Sequence, residues 1–381
     1  KKHFDNRLCT FSVAFADAAF DESDYQNEAI RALQTDHRSV RCTDGDIAAS
    51  FPDVVWHAEI PMIRTAPAPL FALSQLVRAS NYKVVLTGEG ADEIFAGYNI
   101  FKEAQIRRFW SRAPQSRIRP RLLERLYPYI FSGPNEKAKA YLKSFYRKGL
   151  NDTASPVYSH LPRWRNTSQL QTFLAQPVKT VARTPEDFIA DFSRSLPEDI
   201  DRWPMLSRAQ YIEMKLFLSN YLLSTQGDRM IMAHSVEGRY PFLDHRVIEF
   251  AFRLPIRYRL NGLTEKFILK KAARGIIPDC VVDRPKQPYR APISSVFFGQ
   301  QAYDYVDEML SEAALHESGY FNPQSVSRIV QKSRKNPKGL TSERENMALV
   351  GILSTQLLHQ QFVRDFPSQP AHMPTHITVD I

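Results

Sequence analysis

Short apolar runs alternate with helical periodicity over the first hundred residues. Residues 8–15 have the sequence Leu-Cys-Thr-Phe-Ser-Val-Ala-Phe, which predicts a buried strand. Residues 39–43 and 84–86 predict two further strands. Between them, apolar side chains at helical spacing predict helices near residues 24–34, 44–50 and 69–80. Strands that alternate with helices predict an α/β fold, a parallel sheet with flanking helices.

The alternation stops near residue 100, and a large helical portion follows. We predict four parts: residues 1–100 as the α/β part, 101–205 as a basic helical insertion, 206–366 as a second helical part and 367–381 as a tail. Residues 343–362 carry apolar side chains on one helical face, which predicts an amphipathic helix.

Composition excludes several protein classes. The chain has 381 residues, 43% of them hydrophobic and 24% charged, as in an ordinary globular protein. No apolar run is long enough to cross a bilayer, and no secretory segment opens the sequence. Cys9, Cys42 and Cys280 have no metal-binding spacing, so they predict reduced thiols in a cytoplasmic protein.

The net charge of +9 is not spread evenly along the chain. Residues 107–125 contain seven arginines, interleaved with Phe109, Trp110, Pro114 and Pro120. We favour a helical surface on which arginine side chains extend around a packed tryptophan. A phosphate-rich substrate, a partner protein or RNA are alternative uses of this segment.

The richest chemistry lies in residues 83–93, Lys-Val-Val-Leu-Thr-Gly-Glu-Gly-Ala-Asp-Glu. A β-branched run ends in a glycine-bracketed, acidic turn that opens into a helix. Backbone N–H groups at such a turn can hold phosphate, and the acids imply a cation beside it. The segment therefore indicates a site for a nucleoside triphosphate and Mg²⁺, with a solvated acidic helix start as the alternative.

Two other clusters combine glycine or proline with charge. One contains Asp228, Arg229, Glu237, Arg239 and Asp244, and the other spans residues 284–290, Arg-Pro-Lys-Gln-Pro-Tyr-Arg. An ATP-using site needs cations for phosphate and acids for Mg²⁺. The three clusters meet both needs if they converge.

Four segments in order resemble the asparagine synthase (glutamine-hydrolysing) family. They are residues 11–15 with 20–23, residues 86–98 (Leu-Thr-Gly-Glu-Gly-Ala-Asp-Glu-Ile-Phe-Ala-Gly-Tyr), residues 235–244 (Ser-Val-Glu-Gly-Arg-Tyr-Pro-Phe-Leu-Asp) and residues 284–292. The resemblance covers the C-terminal synthetase domain, over residues 8 to about 295. It implies an adenine nucleotide alpha-hydrolase, or ATP-pyrophosphatase-like, fold. It also implies ATP-dependent adenylation of a carboxylate, most often the aspartate side chain, and displacement of AMP by ammonia.

The resemblance assigns roles position by position. Val13, Thr87 and Gly88 correspond to ATP-binding positions, with the Val13 backbone at the adenine. We predict that Gly90 and Lys266 also bind ATP. Asp92 corresponds to a Mg²⁺ and pyrophosphate ligand. Glu89 corresponds to the carboxylate implicated in forming and using the acyl-adenylate. Lys286 corresponds to the lysine that stabilises charge at the α-phosphate and the developing pyrophosphate.

Several assignments keep an alternative. Lys266 is either a phosphate contact or a neighbour of Lys270 on a solvated helix face. Asp228, Arg229, Arg239 and Asp244 are weak substrate-site candidates. For Arg239 and Asp244 a buried ion pair at a helix junction is equally compatible.

Glu89 bears on the reaction type. A related branch that closes β-lactam rings carries tyrosine where Glu89 stands. Glu89 therefore favours intermolecular amide formation with ammonia, for which it could act as general base. Whether the ammonia comes from glutamine or from solution stays open.

Two pieces of the family pattern are missing from the sequence. These are the Ser-Gly-Gly-x-Asp-Ser pyrophosphate loop, expected before residue 8, and the glutaminase domain with its nucleophilic cysteine. We expect an N-terminal companion segment to supply them, and residues 1–381 alone to be inactive.

Other functions stay open at this stage. They are an amidotransferase of specialised metabolism, a non-catalytic binding or scaffold protein, and an RNA-modifying pyrophosphatase. The last is disfavoured because no thiol relay or RNA module is visible, so nucleic acid is not expected as a partner. A homodimer is compatible with the sequence.

Overall fold

Four short strands form the β structure of the protein. The computed structural model describes residues 8–16, 21–127, 136–284, 286, 289, 291–299, 301–337 and 342–366. Its strands are β1 (Cys9–Phe15), β2 (Asp36–Cys42), β3 (Val84–Leu86) and β4 (Glu237–Arg239).

The strands pair in parallel, which confirms the predicted α/β class with parallel pairing. Val13 lies opposite Val40 in the β1–β2 pair, and Leu86 lies opposite Arg239 in the β3–β4 pair. Among the described residues these are two separate two-stranded sheets. β4 lies in a region predicted to be helical, so that prediction was wrong there. Its three residues include two exposed charged side chains and a glycine, so no apolar alternation marks them.

Helices make up most of the remaining chain. The α-helices described are Ser23–Leu33, Asp44–Ala58, Pro67–Ala79, Ala91–Ile94, Asn99–Ser111, Glu136–Arg147, Leu161–Thr167, Gln176–Val181, Pro185–Arg194, Met205–Glu213, Arg229–Met232, His245–Arg253, Ile256–Arg259, Phe267–Ala273, Asp279–Val282, Ser294–Phe298, Asp304–Met309, Glu312–Ser318, Pro323–Lys335 and Glu343–His359. The 3₁₀ segments are Arg119–Leu126, Ser168–Phe173, Ile200–Arg202 and Pro241–Leu243, and the π-helical segments are Met214–Asp228 and Gln360–Arg364.

The helix Asp44–Ala58 is longer than predicted and lies in the main core. A capping box at Thr43 starts it, and Pro52 does not end it. The continuation past Pro52 buries Val54 and Val55. Burial of these apolar residues stabilises the helix beyond the proline.

The helix Glu343–His359 is buried on more than one face. Met347, Val350 and Leu353 are buried as predicted, but Leu349 and Ile352 are also buried. The amphipathic prediction was therefore too narrow, because this helix is surrounded by other core elements. Residues 367–381, predicted as a tail, lie outside the described residues.

The arginine-rich segment is partly internal. Trp110 is fully buried, as predicted, but Arg107 is only 1% exposed. The Arg107 guanidinium donates hydrogen bonds to backbone carbonyls of Tyr146, Tyr158, Lys148 and Gly149. Arg107 is thus a buried link between loops, and for this residue the surface prediction was wrong.

An apolar cleft separates the two sheets. β1 contributes Cys9 to Phe11 and β3 contributes all three of its residues to the lining of a cavity of about 680 Å³. Each strand is paired on one side only within the described part of the chain. The Tyr82 ring contacts Phe11 edge-to-face, with ring centroids 5.5 Å apart, and so links the two sides.

The described helices include none that is long and apolar enough to cross a membrane.

Candidate active site

A glycine-bracketed loop follows β3 and carries the predicted site. The Thr87 N–H donates to the Arg239 carbonyl at 2.9 Å, which extends the β3–β4 pairing into the loop. Gly90 has φ +89°, and a Cβ there would lie 2.2 Å from a Leu243 methyl carbon. Both the conformation and the contact require glycine at this position. A Cβ at Gly88 would meet no atom within 4 Å, so Gly88 faces open space.

Asp92 lies between two lysines from distant parts of the sequence. Its Oδ1 is 2.9 Å from Lys266 Nζ, and its Oδ2 is 3.0 Å from Lys286 Nζ. Burial opposes ionisation of Asp92, but Lys286 and Lys266 outweigh it and hold the pKa of Asp92 below its usual value. Three predicted site residues are therefore brought together.

Gly97 makes room for the Asp92 carboxylate. A Cβ on Gly97 would lie only 1.8 Å from Asp92 Oδ1. The sequence Ala-Gly-Tyr after the acidic turn therefore has a packing function, because any larger residue at Gly97 would displace the carboxylate that both lysines contact.

Lys266 is held at the site by its backbone as well as its side chain. It has φ +48°, precedes the helix Phe267–Ala273, and donates its N–H to the Phe95 carbonyl at 3.0 Å. Lys270 instead pairs with buried Glu265 at 2.8 Å. The alternative in which Lys266 lies beside Lys270 on a solvated face was wrong, because Lys266 points to Asp92.

The cluster at residues 284–290 also contributes a residue to the Asp92 site. Lys286 contacts Asp92 and also lies over the Tyr98 ring, 5.4 Å from its centroid. Beside it is a cavity of about 380 Å³ whose lining includes Lys266, Lys270, Arg284 and Lys286. Arg284 in this wall forms an ion pair with Glu22. Glu22 and Glu265 also line this cavity, so its lining carries four cationic and two anionic side chains. The excess of positive charge suits an anionic ligand such as a polyphosphate, and we call this space the cationic cavity.

Glu89 is half-buried, and its carboxylate forms no hydrogen bond or ion pair that the described residues reveal. Burial raises the pKa of Glu89, the negative charge of Asp92 raises it further, and Lys286 acts in the opposite direction. A raised pKa makes Glu89 a stronger base than an exposed carboxylate. Glu89 lines the 680 Å³ cleft, whereas Lys266 and Lys286 line the cationic cavity.

A buried layer beneath the acidic turn was not predicted from sequence. Glu93 is fully buried and accepts a hydrogen bond from the Tyr98 hydroxyl at 2.9 Å. Gln210 donates to the carbonyls of Glu93 and Ile94 at 2.6 and 2.7 Å. Burial raises the pKa of Glu93 to about 7. This layer holds the short helix that carries Asp92. Apart from their polarity, nothing in the sequence marks Gln210 and Glu93 as part of the site.

The second charged cluster is divided among separate contacts. Arg229 pairs with Glu59 at 2.6 Å, and Arg239 pairs with Glu237 at 2.8 Å on the surface. Asp244 contacts Arg246 and caps the helix His245–Arg253. The buried Arg239–Asp244 ion pair was therefore wrong, because each of the two residues pairs with a local neighbour.

Asp228 contacts a residue in the wall of the apolar cleft. Its carboxylate accepts a hydrogen bond from the Tyr240 hydroxyl at 2.5 Å. Tyr240 follows β4 directly, and it lines the same cleft as Glu89. Sequence analysis did not predict Tyr240 as a site residue. Its position directly after the glycine-containing segment Glu237–Arg239 is the one feature of the sequence that could have indicated it.

Val13 lies in β1, 8% exposed. Its carbonyl accepts a hydrogen bond from Gln26 Nε2 at 3.1 Å. It is absent from the residues that line the two cavities just described.

The carboxylates fit Mg²⁺ only together with a phosphate ligand. No group of three or more His, Cys, Asp or Glu side chains suited to a metal occurs among the described residues. Mg²⁺ is commonly bound through one or two carboxylates plus substrate phosphates. Asp92, with Glu89 nearby, matches that donor set.

Comparison with known proteins identifies the family of the chain. The sequence model of the family "Asparagine synthase" matches residues 1–360. "Asparagine synthetase [glutamine-hydrolyzing] 1" of Bacillus subtilis is 28% identical over 294 residues, which are 77% of this chain and 44% of the relative. "Amidase chyE" of Penicillium rubens is 27% identical over 351 residues, 88% of this chain and 51% of the relative. "Amidase chry2" of Gibberella zeae is 24% identical over 364 residues, 90% of this chain and 51% of the relative. The chain thus spans about half the length of these relatives.

Proposed function

The chain belongs to the asparagine synthase family, and we propose that it is the synthetase part of a glutamine-dependent, amide-forming ligase. In this proposal a carboxylate attacks the α-phosphate of ATP, an acyl-adenylate and pyrophosphate form, and ammonia then displaces AMP. The observation that carries the proposal is the contact of Asp92 with Lys266 and Lys286 beside the loop that bears Glu89.

The two lysines support the adenylation step. A carboxylate and a triphosphate repel each other, and further negative charge develops on the departing pyrophosphate. Lys266 and Lys286 lie in the wall of the cationic cavity, so they can neutralise that charge. Asp92 contacts both ammonium groups directly, which keeps the two lysines in place until the triphosphate and Mg²⁺ bind and take over these contacts.

Glu89 supports the amide-forming step. Ammonia that attacks the acyl carbon acquires a positive charge, and a base must remove a proton before AMP leaves. Glu89 has an unpaired carboxylate within the described structure and a raised pKa. It is therefore suited to accept this proton.

ATP and Mg²⁺ are the expected cofactors. Asp92 is the residue we expect to hold Mg²⁺, which would reduce the charge of the triphosphate when bound. Thr87, Gly88 and Gly90 form the loop at the carboxyl ends of β3 and β4, where nucleotides bind in parallel sheets. Val13 stays a proposed adenine contact through its backbone.

Two classes of acceptor carboxylate are open within this function. Aspartate is our first proposal, since an asparagine synthetase is among the relatives. A specialised-metabolite carboxylate is the second, because the matches to the two amidases extend over 88% and 90% of the chain, against 77% for the synthetase.

The site also supports the expectation of an N-terminal companion segment. β1 and β3 both line the apolar cleft, and each has one edge without a described partner. An additional parallel strand between them would join the two small sheets, and the loop after it would end beside Thr87 and Gly88. We propose that the missing phosphate-binding loop is supplied in this way.

The test is amide formation by the whole protein with ATP, Mg²⁺, glutamine and a panel of carboxylates that includes aspartate. The proposal predicts equal amounts of AMP and amide. Release of ADP would contradict the proposal, and no nucleotide turnover with any acceptor would contradict it and favour the scaffold alternative.

A further inference from the structure

The hydroxyl group of Tyr221 is buried and forms no hydrogen bond with any residue that the structure describes. Tyr221 lies in the π-helical segment Met214–Asp228. A buried donor that lacks a partner is costly, because it has lost its hydrogen bonds to water without replacement. Helical segments with π geometry frequently occur at functional sites. The Tyr221 hydroxyl is therefore a candidate contact for a substrate.

A row of aromatic rings connects Tyr221 with the Asp92 site. The Tyr221 ring stacks on Phe217 with the centroids 5.4 Å apart, and Phe217 meets the Tyr98 ring edge-to-face at 6.2 Å. Lys286 Nζ lies 5.4 Å from the centroid of the same Tyr98 ring and contacts Asp92. Tyr221 thus belongs to a wall that extends from the catalytic lysine along the π-helical segment.

Tyr289 and Arg64 approach Tyr221 from other parts of the chain. Tyr289 lines the cationic cavity and also a second cavity of about 110 Å³, whose lining includes Arg64 and Glu343. Desolvation raises the pKa of the Tyr289 phenol, with further contributions that include Tyr221 and Glu89. Burial raises the pKa of Tyr221, and Arg64 acts in the opposite direction. Tyr289 and Arg64 therefore both lie within electrostatic range of Tyr221.

This region is separate from the apolar cleft between the two sheets. Tyr221, Tyr289 and Arg64 are absent from the residues that line the cleft. An additional strand between β1 and β3 would therefore leave Tyr221 and its neighbours able to contact a substrate.

A phenol donor near a guanidinium suits an anionic oxygen. Because its pKa is raised, Tyr221 keeps its proton at neutral pH and can donate it. Arg64 contributes positive charge, which an ion pair of 3.1 Å with Glu343 balances in the free protein. A carboxylate bound here could accept a hydrogen bond from Tyr221 and share the Arg64 guanidinium.

The acceptor of the proposed reaction already presents one carboxylate to ATP, beside Lys286. A carboxylate at Tyr221 would be a second one on the same molecule. We infer that Tyr221 is a specificity-determining residue that binds the second carboxylate of a dicarboxylate acceptor. This inference rests on the proposed function and selects dicarboxylates among its acceptors.

The test compares matched acceptors in the whole protein and in Tyr221→Phe, which keeps the ring and removes the donor. The dicarboxylates are aspartate, free glutamate and α-aminoadipate. Their partners, which lack the α-carboxylate, are β-alanine, γ-aminobutyrate and δ-aminovalerate. In Tyr221→Phe we expect the KM for the dicarboxylate that the wild type uses to rise about 10- to 100-fold. The KM for its monocarboxylate partner and the KM for ATP should not change.

Thermal unfolding without substrates separates binding from structure. Removal of a donor that has no partner should leave the Tm of Tyr221→Phe equal to that of the wild type or higher. Tyr305→Phe is the matched control, because the Tyr305 hydroxyl donates to the Ala48 carbonyl at 2.8 Å. This control should lower the Tm and leave the KM for the dicarboxylate unchanged.

Three results would overturn the inference and leave the proposed function intact. They are an unchanged KM for the dicarboxylate in Tyr221→Phe, a Tm lowered as in Tyr305→Phe, and a wild type that forms amides from monocarboxylates only. A wild type that forms no amide from any carboxylate would overturn the proposed function, and the inference with it.

Discussion

Lys286 and Asp92 form an ion pair of 3.0 Å although 194 positions separate them in the sequence. Lys266 contacts the other oxygen of the same carboxylate. Three parts of the chain therefore meet at one half-buried acid, and we propose that the two lysines bind a triphosphate there.

The first prediction concerns Lys286. Lys286→Met should reduce acyl-adenylate formation by about 10²- to 10³-fold, because one charge that stabilises the transition state is lost. Exchange of labelled pyrophosphate into ATP in the whole protein measures this step. Lys271→Met, which removes an exposed lysine near the same region, serves as the control and should retain exchange. Equal exchange in both variants would rule out a role for Lys286 in adenylation.

The second prediction separates the two half-reactions at Glu89. Glu89→Gln should retain pyrophosphate exchange but lose most amide formation, since glutamine cannot accept a proton. In the wild type, amide formation should decline as the pH falls through the raised pKa of Glu89, which lies above the usual range for glutamate. Rate–pH profiles with hydroxylamine as nucleophile would measure this decline. A decline whose midpoint lies at the ordinary pKa of glutamate would contradict the assignment of Glu89.

How far the sequence predicts this site differs among its parts. The Val84–Leu86 strand and the turn after it were predicted because a β-branched run followed by two close glycines is a local signal. The contact of Lys266 with Asp92, and the hydrogen bond of Gln210 to the Glu93 carbonyl, are long-range. No local pattern encodes them, since they depend on how helices pack.

The same reasoning explains the errors. Arg107 was predicted at the surface because arginines usually keep their charge in water. Its burial depends on four carbonyl acceptors in the loop regions near Tyr146 and Tyr158, which sequence spacing cannot reveal. β4 was missed because its pairing with β3, not its own composition, makes it a strand.

The third prediction concerns glycine in the loop. Gly90→Ala should destabilise the protein by about 1–3 kcal/mol, because alanine is strained at φ +89° and its Cβ would meet Leu243. Gly88→Ala is the control, with open space around the added carbon. Urea unfolding of both variants measures the difference. A similar free energy of unfolding for the two would contradict the loop geometry.

The fourth prediction concerns pH and Glu93. Its folded pKa of about 7 lies above that of an unfolded glutamate, so the folded state holds the proton more tightly. The resulting stabilisation is complete below the unfolded pKa and is lost as the pH rises through about 7. From pH 4 to pH 8 the loss should be about 3 kcal/mol. Glu93→Gln should remove this pH dependence. Urea unfolding of the wild type and the variant across this pH range is the measurement. A difference between their free energies of unfolding that stays constant with pH would contradict the prediction.

The fifth prediction concerns Arg107. Arg107→Met should destabilise the protein by about 3 kcal/mol, since four backbone carbonyls lose a charged donor inside the fold. Arg108→Met, next to it and exposed, should have little effect. Thermal unfolding of both variants provides the comparison, and equal melting temperatures would show that the buried guanidinium does not stabilise these loops.

The central claim is that the chain activates a carboxylate as its adenylate. The most direct measurement uses aspartate, and then the other acceptors, labelled with heavy oxygen in the carboxylate, together with ATP and the whole protein. Mass spectrometry of the products locates the label. The account predicts one labelled oxygen in AMP and none in pyrophosphate. Label in inorganic phosphate with release of ADP would mean activation through an acyl phosphate, and would contradict it.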